Sequence, residues 1–307
     1  MSRSIQDRWQ ELDLRAWLQL VRLPNLLSVP GDPWAGLALA GVAAGVLPGS
    51  ASFVFAALTS LCLYAAGLIL NDLHDEAFDR EHRPERPLPS GRVSRVAAAR
   101  LCSSLTALGV ICALPLGRPA FLTALLLAAL VYAYNLVFKG HRLGASVCMG
   151  LCRGCSLLVG AAAVGRGPAV LIAAAAVTVY ISAVTWIAAG ENRTQTLDHV
   201  VLVPAYAFAG GGILVALAVV RSGLPAPWLL GAGLLGWSAR RVWLHGAKLR
   251  KRAVPPEQMQ PAIGVYIRNL LPWQAGLIAL GGLPLLALLL FGLCPAASRL
   301  ARRYAQS

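Results

Sequence analysis

Three aspartates at the end of a long apolar segment are spaced so that they share one face of a helix. Asp72, Asp75 and Asp79 stand at positions i, i+3 and i+7, and Asn71 precedes them. Three like charges repel one another, and at a membrane edge they are costly unless a cation neutralises them. Carboxylate oxygens are ligands of hard divalent cations, so the pattern predicts a magnesium site. The arginines that follow indicate an anionic ligand as well.

The chain that must position these residues has the composition of a polytopic membrane protein. Of its 307 residues, 57% are hydrophobic and only 13% are charged, which excludes a typical soluble domain. The net charge of +14 comes largely from arginines between apolar runs. That distribution follows the positive-inside rule, so we expect contacts with membrane lipid and no nucleic acid. We expect no cleavable signal peptide, because the first residues continue into a polar stretch.

Nine apolar segments have roughly the length of a membrane span, and only helices are expected there. The sequence therefore predicts an all-α bundle of about nine transmembrane helices. The segments cover residues 30–48, 51–71, 97–117, 119–138, 144–165, 168–190, 200–220, 226–245 and 270–294. Before them, residues 4–22 have the pattern of an amphipathic helix on the membrane surface. We divide the chain into an N-terminal segment, 1–29, a transmembrane domain, 30–295, with motif loops at about 71–95 and 190–199, and a C-terminal tail, 296–307.

The basic residues also predict an orientation. With the N-terminus in the cytoplasm and nine alternating helices, most lysines and arginines fall on the cytoplasmic side, together with both motif loops. The expected location is thus an integral, multi-pass position in the membrane, the inner membrane if the cell is bacterial. The exception is the C-terminal tail, because this topology places Arg299, Arg302 and Arg303 outside.

A cysteine pattern offers a different metal. Cys148, Cys152 and Cys155 fit C-x3-C-x2-C, a spacing that can hold an iron–sulfur cluster. The pattern lies within an apolar segment rich in glycine and alanine, with Arg153 inside it. Packing between helices through small residues is the interpretation that this context favours.

The aspartate motif resembles a known family signature. N-D-x-x-D-x-x-x-D, from Asn71 to Asp79, is followed by R-P-x-P-S-G-x-x-S, from Arg86 to Ser94. Together they are similar to the first signature of the UbiA superfamily of intramembrane prenyltransferases. The resemblance implies a helical bundle around a central cavity, in which a prenyl group passes from an isoprenyl diphosphate to a lipophilic acceptor, usually an aromatic ring. It makes the chain an expected transferase of alkyl groups other than methyl.

The resemblance also assigns roles to residues along the chain. Asp72, Asp75 and Asp79 are the expected catalytic residues, acting through Mg²⁺. The expected ligands of the metal are Asn71, Asp72, Asp75, Asp79, Glu191 and Asp198. The residues expected to bind substrate or its diphosphate are Arg22, Asn25, Asn71, Tyr134, Lys139, Arg153 and Glu191. Tyr132, Tyr134 and Tyr180 offer aromatic faces that could stabilise an allylic cation.

The second signature of the superfamily is incomplete in this chain. Where relatives carry an aspartate cluster, the sequence reads Glu191 and, seven residues on, Asp198, with Arg193 and Gln195 between them. Asp198 shares a face with Glu191 only if the helix continues. This departure leaves two alternatives open: a related diphosphate lyase or terpene cyclase that uses no acceptor, and a carrier of isoprenoids or lipids that kept the fold without the chemistry.

Overall fold

The computed structural model describes residues 13–191, 193–221, 228–250 and 253–304, with side chains for all of these except residues 23, 24 and 301–304. The first part of the predicted amphipathic segment and the end of the predicted tail therefore lie outside the described residues. So does Asn192 in the second motif loop.

The described residues form an almost entirely helical chain. The helices are α1 (Leu14–Leu20), α2 (Leu23–Leu26), α3 (Gly31–Ala44), α4 (Ser50–His82), α5 (Arg95–Cys112), α6 (Arg118–Ala133), α7 (Arg142–Ala161), α8 (Pro168–Ala188), α9 (Val203–Val220), α10 (Trp228–Leu249), α11 (Pro256–Arg268), α12 (Leu270–Leu280) and α13 (Pro284–Tyr304). Short 3₁₀ turns cover Leu114–Leu116 and His199–Leu202, and a π-helical turn covers Tyr134–Phe138. Two antiparallel strands of two residues each, β1 (Gln195–Thr196) and β2 (Ala253–Val254), join the second motif loop to the chain before α11.

The all-α, multi-pass class is confirmed, but the expected nine spans are not. Among the described residues, six helices are long and apolar enough to cross a membrane. They cover Ser50–His82, Arg95–Leu116, Arg118–Phe138, Arg142–Ala161, Pro168–Ala188 and His199–Val220. The segment expected at 270–294 is two helices, α12 and α13. They separate at Gly281 and Gly282, and Gly282 has a φ of +83°, a conformation that a helix interior does not allow.

The aspartate motif lies on α4, which continues beyond the end of its apolar segment. We expected residues 71–95 to form a loop after the membrane span, but α4 continues to His82 and only residues 83–94 connect it to α5. At 1.5 Å per residue, Asn71 lies about 32 Å from the start of α4, close to the thickness of a hydrocarbon core. The motif therefore follows a helical stretch that is long enough to cross the membrane. An ion pair of 2.8 Å between Arg80 and Glu76 spans one turn of the extension.

Close helix contacts in the bundle depend on small residues. A Cβ atom added at Gly36 of α3 would meet the carbonyl oxygen of Leu157 on α7 at 2.0 Å. One added at Gly160 of α7 would meet the carbonyl of Pro33 at 1.9 Å. The backbones of α3 and α7 thus approach each other in the manner of small-residue contacts in membranes.

The three motif cysteines belong to the same packing. Cys148, Cys152 and Cys155 are buried free thiols on α7. The Cys148 thiol donates to the Leu130 carbonyl at 3.4 Å, and the Cys155 thiol donates to the Thr123 carbonyl at 3.4 Å. The cysteines therefore serve the contact between α7 and α6, as the small-residue interpretation predicts.

An aromatic stack fills the second half of the bundle. Phe208 lies between Tyr180 and Trp273, with ring centroids 3.7 Å and 4.4 Å apart and nearly parallel planes. The Tyr180 hydroxyl donates to the Tyr266 carbonyl at 2.6 Å, and the Tyr266 hydroxyl donates to the Val201 carbonyl at 2.9 Å. Burial raises the pKa of the Tyr266 phenol, which stays protonated and remains a donor. These contacts anchor α11 to the bundle.

Candidate active-site cavity

A cavity of about 550 Å³ opens between α4, α6, α7, α8 and α11. Its wall contains every residue that the sequence assigned to substrate or diphosphate binding. These are Arg22, Asn25, Asn71, Tyr134, Lys139, Arg153 and Glu191. Residues more than 160 positions apart in the chain therefore face one space, as a common site requires.

Two of the motif aspartates are paired with basic residues of the cavity wall. Arg22 Nη2 donates to Asp72 Oδ1 at 3.1 Å, and Lys139 Nζ donates to Asp75 Oδ2 at 2.5 Å. Asp72 is buried and Asp75 is half-buried. These charge-assisted contacts join α4 to the segment before α2 and to the end of the π-helical turn. The acids thus lie just behind a basic surface that faces the cavity.

The third aspartate of the motif has a different partner. Arg86 Nη1 lies 2.6 Å from Asp79 Oδ2 and 3.9 Å from Asp72 Oδ1. Asp79 is only 2% exposed, so its ion pair is screened little by water. Arg86 therefore ties the 83–94 connection to the aspartate face of α4.

Arg22 has an unusual backbone conformation. Its φ of +46° and ψ of +58° place it in the left-handed region, and Arg22 is the one such residue other than glycine in the described chain. That conformation costs an L-residue roughly 1–2 kcal/mol. Strained residues of this kind persist where surrounding contacts hold them, and they concentrate at functional sites. Here the strain turns the chain into α2 and directs the guanidinium to Asp72.

The π-helical turn shapes the wall on the side of α6. It begins at Tyr134 and ends at Phe138, directly before Lys139. Single π turns in an α-helix change which side chains face one direction, and they are common at functional sites. Tyr134, Asn135 and Lys139 all line the cavity. The buried Asn135 amide donates to the Val131 carbonyl at 2.9 Å.

A second polar cluster surrounds Arg153 at the cavity wall. Arg153 Nη1 lies 3.1 Å from Asp32 Oδ2, and Arg153 Nη2 donates to Ser28 Oγ at 3.2 Å. Gln274 Nε2 donates to Asp32 Oδ1 at 2.5 Å and to the Ser28 carbonyl at 2.9 Å. The Arg153 guanidinium also lies 5.8 Å from the centre of the Tyr64 ring.

The second motif loop differs from the sequence-based expectation. α8 ends at Ala188, and a turn leads into β1, so no helix carries Glu191 and Asp198 on a shared face. Glu191 lines the cavity, whereas Asp198 is exposed to solvent and lies outside the cavity wall. The condition for a face shared by Asp198 and Glu191, a helix that continues past Glu191, is therefore not met.

Only one of the three tyrosines proposed to face a cation lies at the cavity. Tyr134 lines it, but Tyr180 is fully buried in the aromatic stack. The Tyr132 hydroxyl lies 3.2 Å from Thr106 Oγ1, between α5 and α6. Tyr64, which the sequence did not single out, lines the cavity instead.

The donor atoms of α4 are of the kind that magnesium prefers, because they are carboxylate oxygens with an amide beside them. In the described part of the chain, no three His, Cys, Asp or Glu side chains are grouped so that they could hold a metal ion. Each motif aspartate is instead turned toward its own basic partner, Arg22, Lys139 or Arg86. The residues fit the ion in chemistry, and in this structure Asp72 and Asp75 are turned toward Arg22 and Lys139.

Sequence reasoning missed Asp32, Gln274 and Arg86 as members of the site. Asp32 carried a usable signal, because a carboxylate at the start of an apolar segment is costly and needs a partner. Arg86 stood within the quoted motif but gave no sign of its partner. Gln274 gave no signal, because nothing local distinguishes a glutamine that packs in the interior from one that binds a carboxylate.

The chain is similar to known proteins in sequence. The model of the UbiA prenyltransferase family matches residues 33–260. Digeranylgeranylglyceryl phosphate synthase from Ignicoccus hospitalis is 37% identical over 153 residues, covering 49% of this chain and 48% of that protein. The synthase of the same name from Haloquadratum walsbyi is 31% identical over 222 residues, covering 69% of this chain and 76% of that protein. The chain thus spans about half the length of the first relative.

Solved structures share the fold. A UbiA homolog from Aeropyrum pernix K1 in its apo form has a TM-score of 0.62 and 19% identity, covering 82% of this chain and 96% of that chain. A UbiA homolog from Archaeoglobus fulgidus bound to DMAPP and Mg²⁺ has a TM-score of 0.53 and 18% identity, covering 85% of this chain and 98% of that chain.

Proposed function

The chain belongs to the UbiA prenyltransferase family, and from this premise we propose that it transfers a prenyl group from an isoprenyl diphosphate to a lipid acceptor inside the membrane, with Mg²⁺. The observation that carries the proposal is the grouping of Arg22, Asn71 and Lys139 on one cavity wall, directly in front of Asp72 and Asp75. Basic donors and acidic metal ligands side by side suit a diphosphate with its metal.

The ion pairs support a simple exchange of partners on binding. Phosphate oxygens would replace the carboxylates of Asp72 and Asp75 as the acceptors for Arg22 and Lys139. Asp72 and Asp75 would then be free to hold Mg²⁺, together with the Asn71 amide oxygen. The metal would withdraw charge from the diphosphate leaving group as its bond to carbon breaks. The site therefore keeps its charges paired both without and with substrate.

The rest of the cavity suits the prenyl chain and its cation. Apolar residues of four helices form much of the wall, including Leu68, Val131, Met149 and Val184. A wall of this kind binds an isoprenyl chain and keeps water away from a reactive carbon. Tyr134 presents an aromatic ring close to the basic end, where an allylic cation would form.

The relatives bear on the acceptor. They are named digeranylgeranylglyceryl phosphate synthase, and a glyceryl phosphate offers hydroxyl groups and no aromatic ring. We therefore propose a hydroxyl-bearing glyceryl phosphate lipid as the acceptor, in preference to the aromatic ring expected from the sequence. The basic residues at the cavity, including Arg142, suit an anionic headgroup.

The proposal is tested by product analysis. The purified protein in nanodiscs is given Mg²⁺ and geranyl, farnesyl or geranylgeranyl diphosphate, together with geranylgeranylglyceryl phosphate, a phenolic acid or no acceptor. Mass spectrometry then identifies the prenylated products. We expect a product in which the prenyl chain is joined to the glyceryl lipid through a new ether bond.

Each alternative gives a different product pattern. Hydrocarbon or prenyl alcohol formed equally with and without acceptor would indicate a lyase or cyclase. Prenylation of the phenolic acid alone would show that the acceptor is an aromatic ring, as expected from the sequence. Binding of the diphosphates with no product of any kind would indicate a carrier and contradict the proposal.

A further inference from the structure

The buried cluster around Arg153 has no role in the exchange of partners described above. Arg153 stands eleven residues beyond the start of α7, about 16 Å along the helix axis, and so near the middle of a membrane-spanning segment. A cation at that depth is costly unless it is paired. Arg153 nevertheless lines the cavity, so its charge is held at a place where a ligand can reach it.

Asp32 supplies the pairing charge from a protected position. It lies in the first turn of α3, is 1% exposed and does not line the cavity. Its carboxylate is 3.1 Å from Arg153 Nη1. An acid in the first turn is also favoured by the dipole of α3. Asp32 can therefore fix the direction of the guanidinium but cannot itself touch a ligand in the cavity.

Gln274 completes the arrangement from α12. Its amide donates to both Asp32 and the Ser28 carbonyl, and it is fully buried. A Cβ atom at Gly31 would lie 2.2 Å from Gln274 Oε1, so only glycine leaves room for this bridge. The Gln274 amide thus holds the Asp32 carboxylate in place, and the carboxylate holds the Arg153 guanidinium.

Arg153 lines the cavity and has more N–H donors than its two protein partners engage. A guanidinium has five N–H donors, and the contacts with Asp32 and Ser28 engage only the outer two nitrogens. The same residue can therefore hold its two protein partners and still donate to an oxygen in the cavity. Partners that fix the side chain from behind lower the cost of binding, because an arginine that is already ordered loses less conformational freedom when it takes up a ligand.

We propose that Asp32 and Gln274 are positioning residues, which hold the Arg153 guanidinium toward the cavity so that it binds a prenyl diphosphate substrate. The inference rests on the proposed function, since it takes an isoprenyl diphosphate as the ligand of the cavity. It assigns the Asp32–Arg153 pair, with Gln274 behind it, to substrate binding and not merely to stability.

The test is a double-mutant cycle on binding. The dissociation constant of geranylgeranyl thiolodiphosphate, which resists cleavage, is measured with Mg²⁺ for the wild type, Arg153→Gln, Asp32→Asn and the double variant. We expect each single change to weaken binding about tenfold, and Asp32→Asn to change it less than about twofold when Arg153 is already Gln. If Asp32 does not act through Arg153, Asp32→Asn will change the dissociation constant by the same factor whether residue 153 is Arg or Gln. That result overturns the proposal.

Two further variants keep the test decisive. Gln274→Met retains the shape of the side chain, and we expect it to weaken binding only while Arg153 is present. Ser238→Ala removes a buried hydroxyl that pairs with Asn269 at 2.7 Å outside the cavity, and we expect lower thermal stability with unchanged binding. If Asp32→Asn does not fold, the cycle of Gln274→Met with Arg153→Gln decides alone. The proposal is overturned if Gln274→Met changes the dissociation constant by the same factor with Arg153 and with Arg153→Gln.

The proposed function and this inference fail in different ways. If the wild type binds the thiolodiphosphate but forms no product from geranylgeranyl diphosphate, the proposed prenyl transfer is contradicted. The double-mutant cycle then still tests whether Asp32 and Gln274 position Arg153. A wild type that does not bind the thiolodiphosphate overturns the inference.

Discussion

Among single residues, Arg22 joins a strained backbone to an ion pair at the cavity. Its left-handed conformation opposes folding, while its contact with Asp72 holds the chain in that conformation. Strain of this size persists only where the neighbouring structure fixes it. The backbone strain and the ion pair can be separated by a change to glycine. Glycine adopts the left-handed conformation without steric strain, and it lacks the guanidinium.

We predict that Arg22→Gly weakens binding of geranylgeranyl thiolodiphosphate by about tenfold or more, the loss expected for a hydrogen bond to a charged group. The thermal unfolding midpoint should fall only slightly, because glycine removes a backbone strain of about 1–2 kcal/mol. Arg22→Lys, the matched control, keeps the charge and the strain. Binding by Arg22→Gly that equals the wild type would show that Arg22 serves the fold alone.

The residues that sequence could identify were those with a local pattern. Asp72, Asp75 and Asp79 recur at helical spacing, so their shared face follows from the geometry of the helix. Their ion pairs were not predictable, because Arg22 and Lys139 stand 50 and 64 positions away. The contact between Asp32 and Gln274 spans 242 positions and was invisible for the same reason.

Among the helices, the contact between α3 and α7 sets the position of the Arg153 cluster. Asp32 belongs to α3 and Arg153 to α7, and the distance between them depends on how closely the two backbones approach. Gly160 lies at this contact, where an added Cβ atom would strike the Pro33 carbonyl. A backbone atom cannot move aside as the end of a side chain can, so the helices themselves must separate.

We predict that Gly160→Ala lowers the free energy of unfolding by about 1–3 kcal/mol, the usual cost of overpacking. It should also weaken binding of the thiolodiphosphate, because α3 carries Asp32 away from Arg153. The matched control is Gly233→Ala on α10, where an added Cβ atom meets nothing within 4 Å. That change should preserve stability or raise it, since alanine favours a helix. Equal thermal unfolding midpoints for the two variants would contradict the role given to the α3–α7 contact.

Helix boundaries show where hydropathy was a poor guide. The apolar run ends near Asn71, but α4 continues for eleven further residues as a polar extension with its own ion pairs. In the other direction, residues 270–294 are apolar throughout, yet two helices form because Gly281 and Gly282 interrupt the backbone. Hydropathy reports the environment of a segment, whereas capping and glycine conformation decide where a helix ends.

For the whole molecule, the bundle and its membrane location followed from composition, while the orientation is still a prediction. Residue 47 stands before α4 and residue 85 stands after it, so the two lie beyond opposite ends of a helix about 50 Å long. Both positions are exposed. The distribution of arginines predicts that residue 85 lies in the cytoplasm.

We predict that an impermeant thiol reagent added to intact cells labels a Leu47→Cys variant and spares a Glu85→Cys variant. Permeabilised cells should show labelling of both. The native cysteines provide little background, because six of the seven are buried. The reverse pattern in intact cells would place the aspartate motif on the outer face.

The central claim is that the aspartates of α4 and Mg²⁺ together cleave an isoprenyl diphosphate, and diphosphate release tests it most directly. Release from geranylgeranyl diphosphate would be measured in nanodiscs with and without Mg²⁺, for the wild type, Asp72→Asn and Asp13→Asn. Asp13 is the matched control, an acid paired with Arg92 at 3.6 Å and outside the cavity wall. We predict that release needs Mg²⁺, falls about a hundredfold or more in Asp72→Asn and is unchanged in Asp13→Asn. Full release by Asp72→Asn, or by the wild type without a divalent metal, would contradict the account.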